Sequence, residues 1–288
     1  MTRQLDEAES VFAAARPRLF GIAYRMTGSV ADAEDLVQEV WVRWQLADRA
    51  AVLNPEAYLA TAITRLAINE SQTARARRET YVGPWLPEPV DTSADPQVGA
   101  EQGAVLELAV LMLLEKLTPT ERAAYVLREA FGYPYREIAE IVQTSEVATR
   151  QLVSRARKHL ADERRVPVER ADQRRLLEAF VAAARAGDLA ALEELFAQDV
   201  VSWSDSNGAI RAAGRPLVGA ATLAKIISGW APSFWAGAEA SYVEANGLAA
   251  VRLRKDDGTY AVITVTASAE GIDQVLWLVN PEKLAAFQ

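Results

Sequence analysis

Residues 135–158 read YREIAEIVQTSEVATRQLVSRARK, and this stretch decides the fold of the middle of the chain. Ile138 and Ile141 fall on one side of a first helix, and the small Ala139 lets a second helix approach. Ser145 stands where it caps that second helix, and Glu146 favours its positive N-terminal end. Leu152 and Val153 then face inward. Arg150, Gln151, Ser154, Arg155 and Lys158 are left available to a major groove and its flanking phosphates. This is the grammar of a helix-turn-helix. A plain helical hairpin with a solvated basic face fits the same residues, so the surrounding sequence has to decide. Gln143 stands where a helix-turn-helix commonly carries glycine, and a left-handed backbone there costs a non-glycine residue about 1 kcal/mol. His159, just beyond, suits a phosphate contact or a plain surface position.

Upstream, Thr118-Pro119-Thr120-Glu121 is a helix start: threonine caps, proline fits the first helical position and glutamate falls at the third. Residues 104–165 therefore form an all-helical segment. Residues 79–103, including YVGPWLPEPVDTSADPQVGAEQG at 81–103, hold four prolines and five acids with no base, the composition of a linker. Residues 1–78 read as helices again, with Leu36, Val40 and Trp44, or Leu59, Ile63 and Leu66, at helical spacing. Thr27-Gly28-Ser29 and Asn54-Pro55 supply the breaks. From 168 the pattern changes to helices at Gln173–Ala186 and Leu189–Phe196, then strand-like runs at Leu248–Arg254, Thr259–Thr266 and Ile272–Val279. Helices followed by an antiparallel meander indicate an α+β domain over 168–288.

The formal charge of −8 argues against nucleic acid only until it is located. Residues 1–78 balance at ten basic and ten acidic side chains, and residues 166–288 carry fifteen acids against eleven bases. Positive charge is concentrated at Arg75, Arg77 and Arg78 and again at Arg150, Arg155, Arg157 and Lys158. DNA binding needs a local basic face, not a basic protein. The chain has no cysteine and one histidine, which excludes disulfides, thiolate sites and multi-histidine metal sites. No metal or other cofactor is expected. No apolar run reaches the roughly 20 residues that span a bilayer, and the acidic start MTRQLDEAES is unlike a signal peptide, so a cytoplasmic location is expected.

Residues 32–44, DAEDLVQEVWVRW, place Leu36, Val40 and Trp44 on one side of a helix and Asp32, Asp35, Gln38 and Glu39 on another. A solvated amphipathic helix shows the same pattern, and such a face also suits a basic, partly apolar partner helix. The segment NPEAYLATAITRLAINESQTARARR that follows gathers Arg65, Arg75, Arg77 and Arg78, a cationic run suited to phosphates; Tyr58 and Trp44 could stack on bases, although aromatics at helical spacing are more often core.

Together these strings resemble the extracytoplasmic-function sigma factors of the sigma-70 family. Residues 8–162 are similar to region 2, a linker and region 4. The resemblance implies a transcription initiation factor that binds core RNA polymerase and promoter DNA. Asp32, Asp35, Leu36, Gln38, Glu39 and Trp41 would dock on the β′ clamp, and region 4 on the β flap. Region 2 would read the −10 element as separated strand and region 4 the −35 element as duplex. Trp85-Leu86-Pro87-Glu88-Pro89 and Asn280-Pro281-Glu282-Lys283-Leu284 resemble hallmarks of the group with a C-terminal SnoaL-like (NTF2-like) domain. That fold implies a cone whose pocket is walled by Trp203, Trp230, Phe234, Trp235, Tyr242, Val251 and Trp277, with Asp205 and Arg252 as polar groups. Asp205-Ser206-Asn207-Gly208-Ala209 stands where the group has a glycine-rich string ending in lysine. Such a domain can act as a regulator in cis, a small-ligand sensor or an enzyme using Asp205 as base; regulation in cis is the expected role. The tail string is then expected to meet the linker, with Lys283 matched to Glu88 and Leu284 to Trp85.

Overall fold

The computed structural model describes residues 2–93, 106–163, 165–210, 212–255, 258–285 and 287; the side chains of 2–7, 75–77 and 79 lie outside that description. The described residues gather into two compact units. One holds the chain to Glu79 together with Val110–Glu163, and the other holds 80–93 and the residues from 165 onward.

In the first unit, α1 (Thr2–Thr27), α2 (Val30–Leu46) and α3 (Pro55–Glu79) pack side by side. Gly28, at φ 69°, ends α1, and Ser29 caps α2 by accepting from the Asp32 amide at 3.2 Å. Leu36, Val37, Val40 and Trp44 of α2 are buried with Leu59 and Ile63 of α3 and Ile22 and Met26 of α1. The Trp44 indole donates to the Ala8 carbonyl at 3.0 Å and tilts against Tyr58 at 5.6 Å. Trp44 is thus a core residue and not a stacking surface. Helices α4 (Leu108–Leu114), α5 (Pro119–Glu129), α6 (Tyr135–Ile141) and α7 (Glu146–Glu163) follow. The capping box at Thr118 and Glu121 is formed from both sides.

The second unit opens with α8 (Arg170–Ala186) and α9 (Leu189–Leu195) and then builds a six-stranded sheet. Its strands are β1 (Phe196–Asp205), β2 (Leu217–Val218), β3 (Glu239–Ala245), β4 (Leu248–Lys255), β5 (Gly258–Ser268) and β6 (Gly271–Leu278), in the order β2-β1-β6-β5-β4-β3. The helix α10 (Ala220–Phe234) lies between β2 and β3 in sequence, and the short α11 (Pro281–Leu284) follows β6. Strands β3 to β6 form the antiparallel meander, whereas β1 runs parallel to β6. The parallel pairing is possible because α10 and four strands separate the two in sequence, ample for a crossover. Gly271 is required at the β5–β6 turn: φ is 111°, and a Cβ would lie 2.7 Å from the Leu195 carbonyl.

Side chains alternate across the sheet, which gives it two working faces. On one face Val251, Ile263, Val275 and Trp277 join α8 and α10 in the apolar core. On the opposite face, register places Asp205 beside Leu278, Val262 and Arg252 in a row across β1, β6, β5 and β4.

Candidate functional site

The turn between α6 and α7 explains how the helix-turn-helix survives without its glycine. Gln143 has φ 57°, and the next amide, Thr144, donates to the Ala139 carbonyl at 2.9 Å, closing a Schellman-type helix end. Ser145 Oγ accepts from the Ala148 amide at 3.1 Å and starts α7. Val153 is buried, and Arg150, Gln151, Ser154, Arg155 and Lys158 are all exposed on the same helix. Arg150 pairs with Glu146 at 2.6 Å and lies 4.6 Å over the Tyr135 ring, and Arg155 pairs with Glu121 at 3.0 Å. Burial works to raise the Glu121 carboxyl pKa, but hydrogen bonds from Thr118 and Arg155 outweigh it and hold it low. Exposed pairs of this kind contribute about 0–1 kcal/mol, so a phosphate can displace the acid at little cost.

On α2, Asp35, Gln38 and Glu39 are exposed, with Glu39 paired to Arg43 at 2.5 Å, and Asp32 is half-buried at the helix start. Leu36 is buried and holds the helix to its neighbours, so it cannot itself form an outward surface. Trp41 is half-buried, 4.8 Å from the Phe12 ring.

The two described arginine side chains of α3, Arg65 and Arg78, are both engaged by other helices. Arg65 donates from Nε to the Ile141 carbonyl and from Nη2 to the Glu140 carbonyl, both at 3.0 Å. These are among the otherwise unpaired carbonyls at the C-terminus of α6, where a cation also meets the negative end of the helix dipole. Arg78 ion-pairs with Glu115 and donates to the Thr27 carbonyl. Glu115 in turn pairs with Arg122, whose Nε donates to the Arg25 carbonyl at 2.8 Å. Burial lowers the Arg25 and Arg122 guanidinium pKa values to about 10 and about 9. The side chains of Arg75 and Arg77 lie outside the described residues. The first helical block and the helix-turn-helix block are thereby locked face to face.

In the second unit, residues 80–93 form a strap. Asp205, wholly buried at the end of β1, accepts from the Leu86 amide and from the Lys283 ammonium, each at 2.7 Å, and from the Tyr81 hydroxyl. Lys283 also donates to the Leu86 carbonyl and sits 4.3 Å over the Trp85 ring and 5.1 Å over that of Tyr81. Asn280 caps α11 and donates to the Tyr81 oxygen at 2.8 Å. Desolvation and the adjacent Asp205 carboxylate push the Tyr81 hydroxyl pKa up, so it stays a donor. Leu86, Pro87 and Pro89 are buried, and Glu88 is half-buried. Further on, the Val90 amide donates to Asn246 Oδ1 and the Asn246 amide to the Val90 carbonyl, both at 2.9 Å; the Thr92 amide reaches Glu244 O at 3.0 Å. From Asp205 on β1 to the β3–β4 turn is four inter-strand steps, about 19 Å, which the six residue-to-residue steps from Leu86 to Thr92 cover at strand-like extension.

Residues 11–78 match the family Sigma-70 region 2, and residues 107–160 match Sigma-70, region 4. The chain is 36% identical over 288 residues to the ECF RNA polymerase sigma factor SigJ of Mycobacterium tuberculosis, covering 95% of this chain and 92% of that one. This chain belongs to the ECF sigma factors. A probable ECF sigma factor of the same organism, SigI, is 32% identical over 220 residues, covering 75% of this chain and 76% of that one. The crystal structure of M. tuberculosis SigJ superposes with a TM-score of 0.77 at 33% identity, covering 96% of this chain and 98% of that one. As an ECF sigma factor the chain acts in promoter recognition and transcription initiation, and its C-terminal domain is SnoaL-like.

Placed in the sigma factor, the strings at 85–89 and 280–284 come together, as do Asp205 and the tail. Several particular expectations change. The sequence pattern matches Lys283 to Glu88, whereas the carboxylate it reaches at 2.7 Å is Asp205. Leu86, not Trp85, is the fully buried residue of the strap. Arg252 donates to Ser241 at 3.3 Å, and Asp205 is wholly buried against the strap and Lys283 and is not a polar group of the pocket. A cavity of this domain is lined by Trp230, Phe234 and Trp277, and its described lining does not include Trp203, Asp205, Trp235, Tyr242, Val251 or Arg252. Alternation is the reason for Trp203 and Asp205: Ser202 and Ser204 line the cavity, so 203 and 205 point to the opposite face. Tyr242 is instead exposed, with Arg174 6.0 Å over its ring. Residues missed from sequence include Tyr81, Thr92 and Asn246. The dipeptide Asn246-Gly247, with both φ values positive, is a hairpin turn that was visible in the sequence.

Proposed function

We propose that this sigma factor is regulated in cis by the clamp on residues 80–93, and that it works in the cytoplasm on core RNA polymerase. In this reading the exposed Asp35, Gln38 and Glu39, with Asp32 and Trp41, meet the β′ clamp, and region 4 meets the β flap. Arg150, Gln151, Ser154, Arg155 and Lys158 contact the −35 element. Arg65, Arg75, Arg77 and Arg78 serve the −10 strand once region 2 and region 4 separate. Separation is required by distance. The two elements are centred about 25 base pairs apart, roughly 85 Å of duplex at 3.4 Å per step, whereas Arg65 holds the region 4 backbone at 3.0 Å.

The observation that carries the proposal is the buried Asp205–Lys283 pair closed around the Leu86 backbone. Residues 80–93 are the chain that leaves region 2 for region 4, so whatever holds them controls how those regions part. No described helix is long and apolar enough to cross a membrane. The test is in vitro transcription with core polymerase, comparing the full chain with versions ending at residues 279 and 165. Truncation at 279 removes Asn280 and Lys283 and is expected to raise transcription several-fold by freeing the strap. Equal activity of the full chain and the 279 version would remove the clamp from regulation, and binding of core polymerase by all versions keeps that result separate from loss of the sigma fold.

A further inference from the structure

The second helix of the helix-turn-helix, α7, presents a polar stripe with one valine in it. Thr149, Val153, Ala156 and Leu160 are the buried residues of α7. On the opposite side Val147, Arg150, Gln151, Ser154, Arg155 and Lys158 follow at intervals of three and four residues, and all six are exposed. Val147 is the apolar member of the stripe, and it is 68% exposed. It has no part in starting the helix. Ser145 is the cap, its Oγ accepting from the Ala148 amide at 3.1 Å, and a hydrophobic staple on that cap would join Thr144 to Thr149. We infer that Val147 is a specificity residue of this sigma factor, reading a thymine of the −35 element through its C5 methyl group.

The inference rests on the reading of α7 as the helix that contacts the −35 element. A helix-turn-helix sets the N-terminal residues of its second helix against the base edges, and Val147 is the second residue of α7. In the major groove the base pairs offer hydrogen-bond donors and acceptors, and the thymine methyl is the apolar group among them. A short side chain reaches that methyl only from the helix end nearest the bases. Valine is branched at Cβ and stiff about χ1, so its methyl groups are presented with little rotamer entropy to lose.

Its neighbour one turn on is also held in place. Arg150 lies 4.6 Å over the Tyr135 ring and pairs with Glu146 at 2.6 Å. Three or four residues along a helix are about 4.5–6 Å. At roughly 3.4 Å per base pair, the thymine then lies within about two base pairs of the one that Arg150 or Gln151 reads.

The test uses holoenzyme formed from the full chain and core polymerase. It selects heparin-resistant complexes from a library of duplexes randomised over both promoter elements, and the selected sequences are read. The unaltered chain is expected to enrich a T·A pair beside the positions whose preference changes in Arg150→Ala. Replacing that thymine by uracil, which lacks only the methyl group, is expected to weaken binding about fourfold, the equivalent of one buried methyl. Val147→Ser is expected to bind the thymine and uracil duplexes equally while keeping the other preferences, and Val147→Ile to keep the discrimination. No thymine enriched there, or equal binding of the two duplexes by the unaltered chain, overturns the inference, and this arm needs no variant. Discrimination retained by Val147→Ser with unchanged circular dichroism overturns it as well. If Arg150→Ala changes the selection and Val147→Ser does not, only the valine contact falls; if neither changes it, the reading of α7 falls with it.

Discussion

Replacing Lys283 by methionine removes one charge of the clamp and keeps most of the side-chain volume. Lys283 is 8% exposed and its partner Asp205 0%, so the change leaves a buried carboxylate facing only the Tyr81 hydroxyl and the Leu86 amide. Breaking a buried pair from one side costs about 3–5 kcal/mol. At a factor of ten for every 1.4 kcal/mol, even about 3 kcal/mol is roughly a 150-fold change in an opening equilibrium. The strap reports that equilibrium directly, because the Leu86, Val90 and Thr92 amides are all hydrogen-bonded to the domain. Hydrogen exchange of peptides covering 80–93 should therefore speed up by at least about 100-fold, up to the limit set by the strap's own stability. Arg174→Met is the control. It breaks an Arg174–Glu178 pair whose members are 59% and 43% exposed, so strap protection should move less than about fivefold. Removing both clamp charges, with Asp205→Asn and Lys283→Met together, should restore much of the protection. Unchanged exchange in Lys283→Met, or a double variant as damaged as the two single changes added, would refute the view that this pair holds the strap.

Charge reversal at Asp35 and Glu39 should weaken the complex with core polymerase in a pull-down or by fluorescence anisotropy while leaving the circular dichroism unchanged, because both side chains are exposed; unaltered binding would remove this face from the interface. Alanine at Arg150 or Arg155 should cost about 1–3 kcal/mol of −35 discrimination if the side chain reads a base edge, measured as the ratio of affinities for matched and mutated duplexes. Equal loss on every sequence would make them phosphate contacts. Gln143→Gly should stabilise region 4 by up to about 1 kcal/mol in denaturant unfolding, since the exposed side chain contributes little and the φ of 57° favours glycine. A destabilised variant would show that Gln143 makes contacts worth more than its backbone strain.

Local pattern carried much of this protein. The capping box at Thr118-Pro119-Thr120-Glu121, the helix-turn-helix at 135–158 and the meander from Leu248 onward could be read because each depends on neighbours a few residues apart: caps, helical spacing and strand alternation. The strings at 85–89 and 280–284 were also visible, both as composition that no packed element needed and as strings that the family resemblance singles out. Tertiary structure decided which partners they chose. Asp205 and Lys283 are 78 residues apart, and Leu86 lies 119 residues from Asp205. Nothing in local spacing distinguishes Asp205 from Glu88 as the lysine's acid; the pairing follows from β1 lying parallel to β6, which brings the end of β1 to the start of the tail. Likewise Arg65 reads as one more strand-tracking arginine until α6 ends against it and its unpaired carbonyls take the guanidinium. Sequence specified the elements and their chemistry because those are short-range properties of the backbone. The fold alone settled which charges are buried against which, because desolvation depends on everything that surrounds a group and not on its neighbours in the chain.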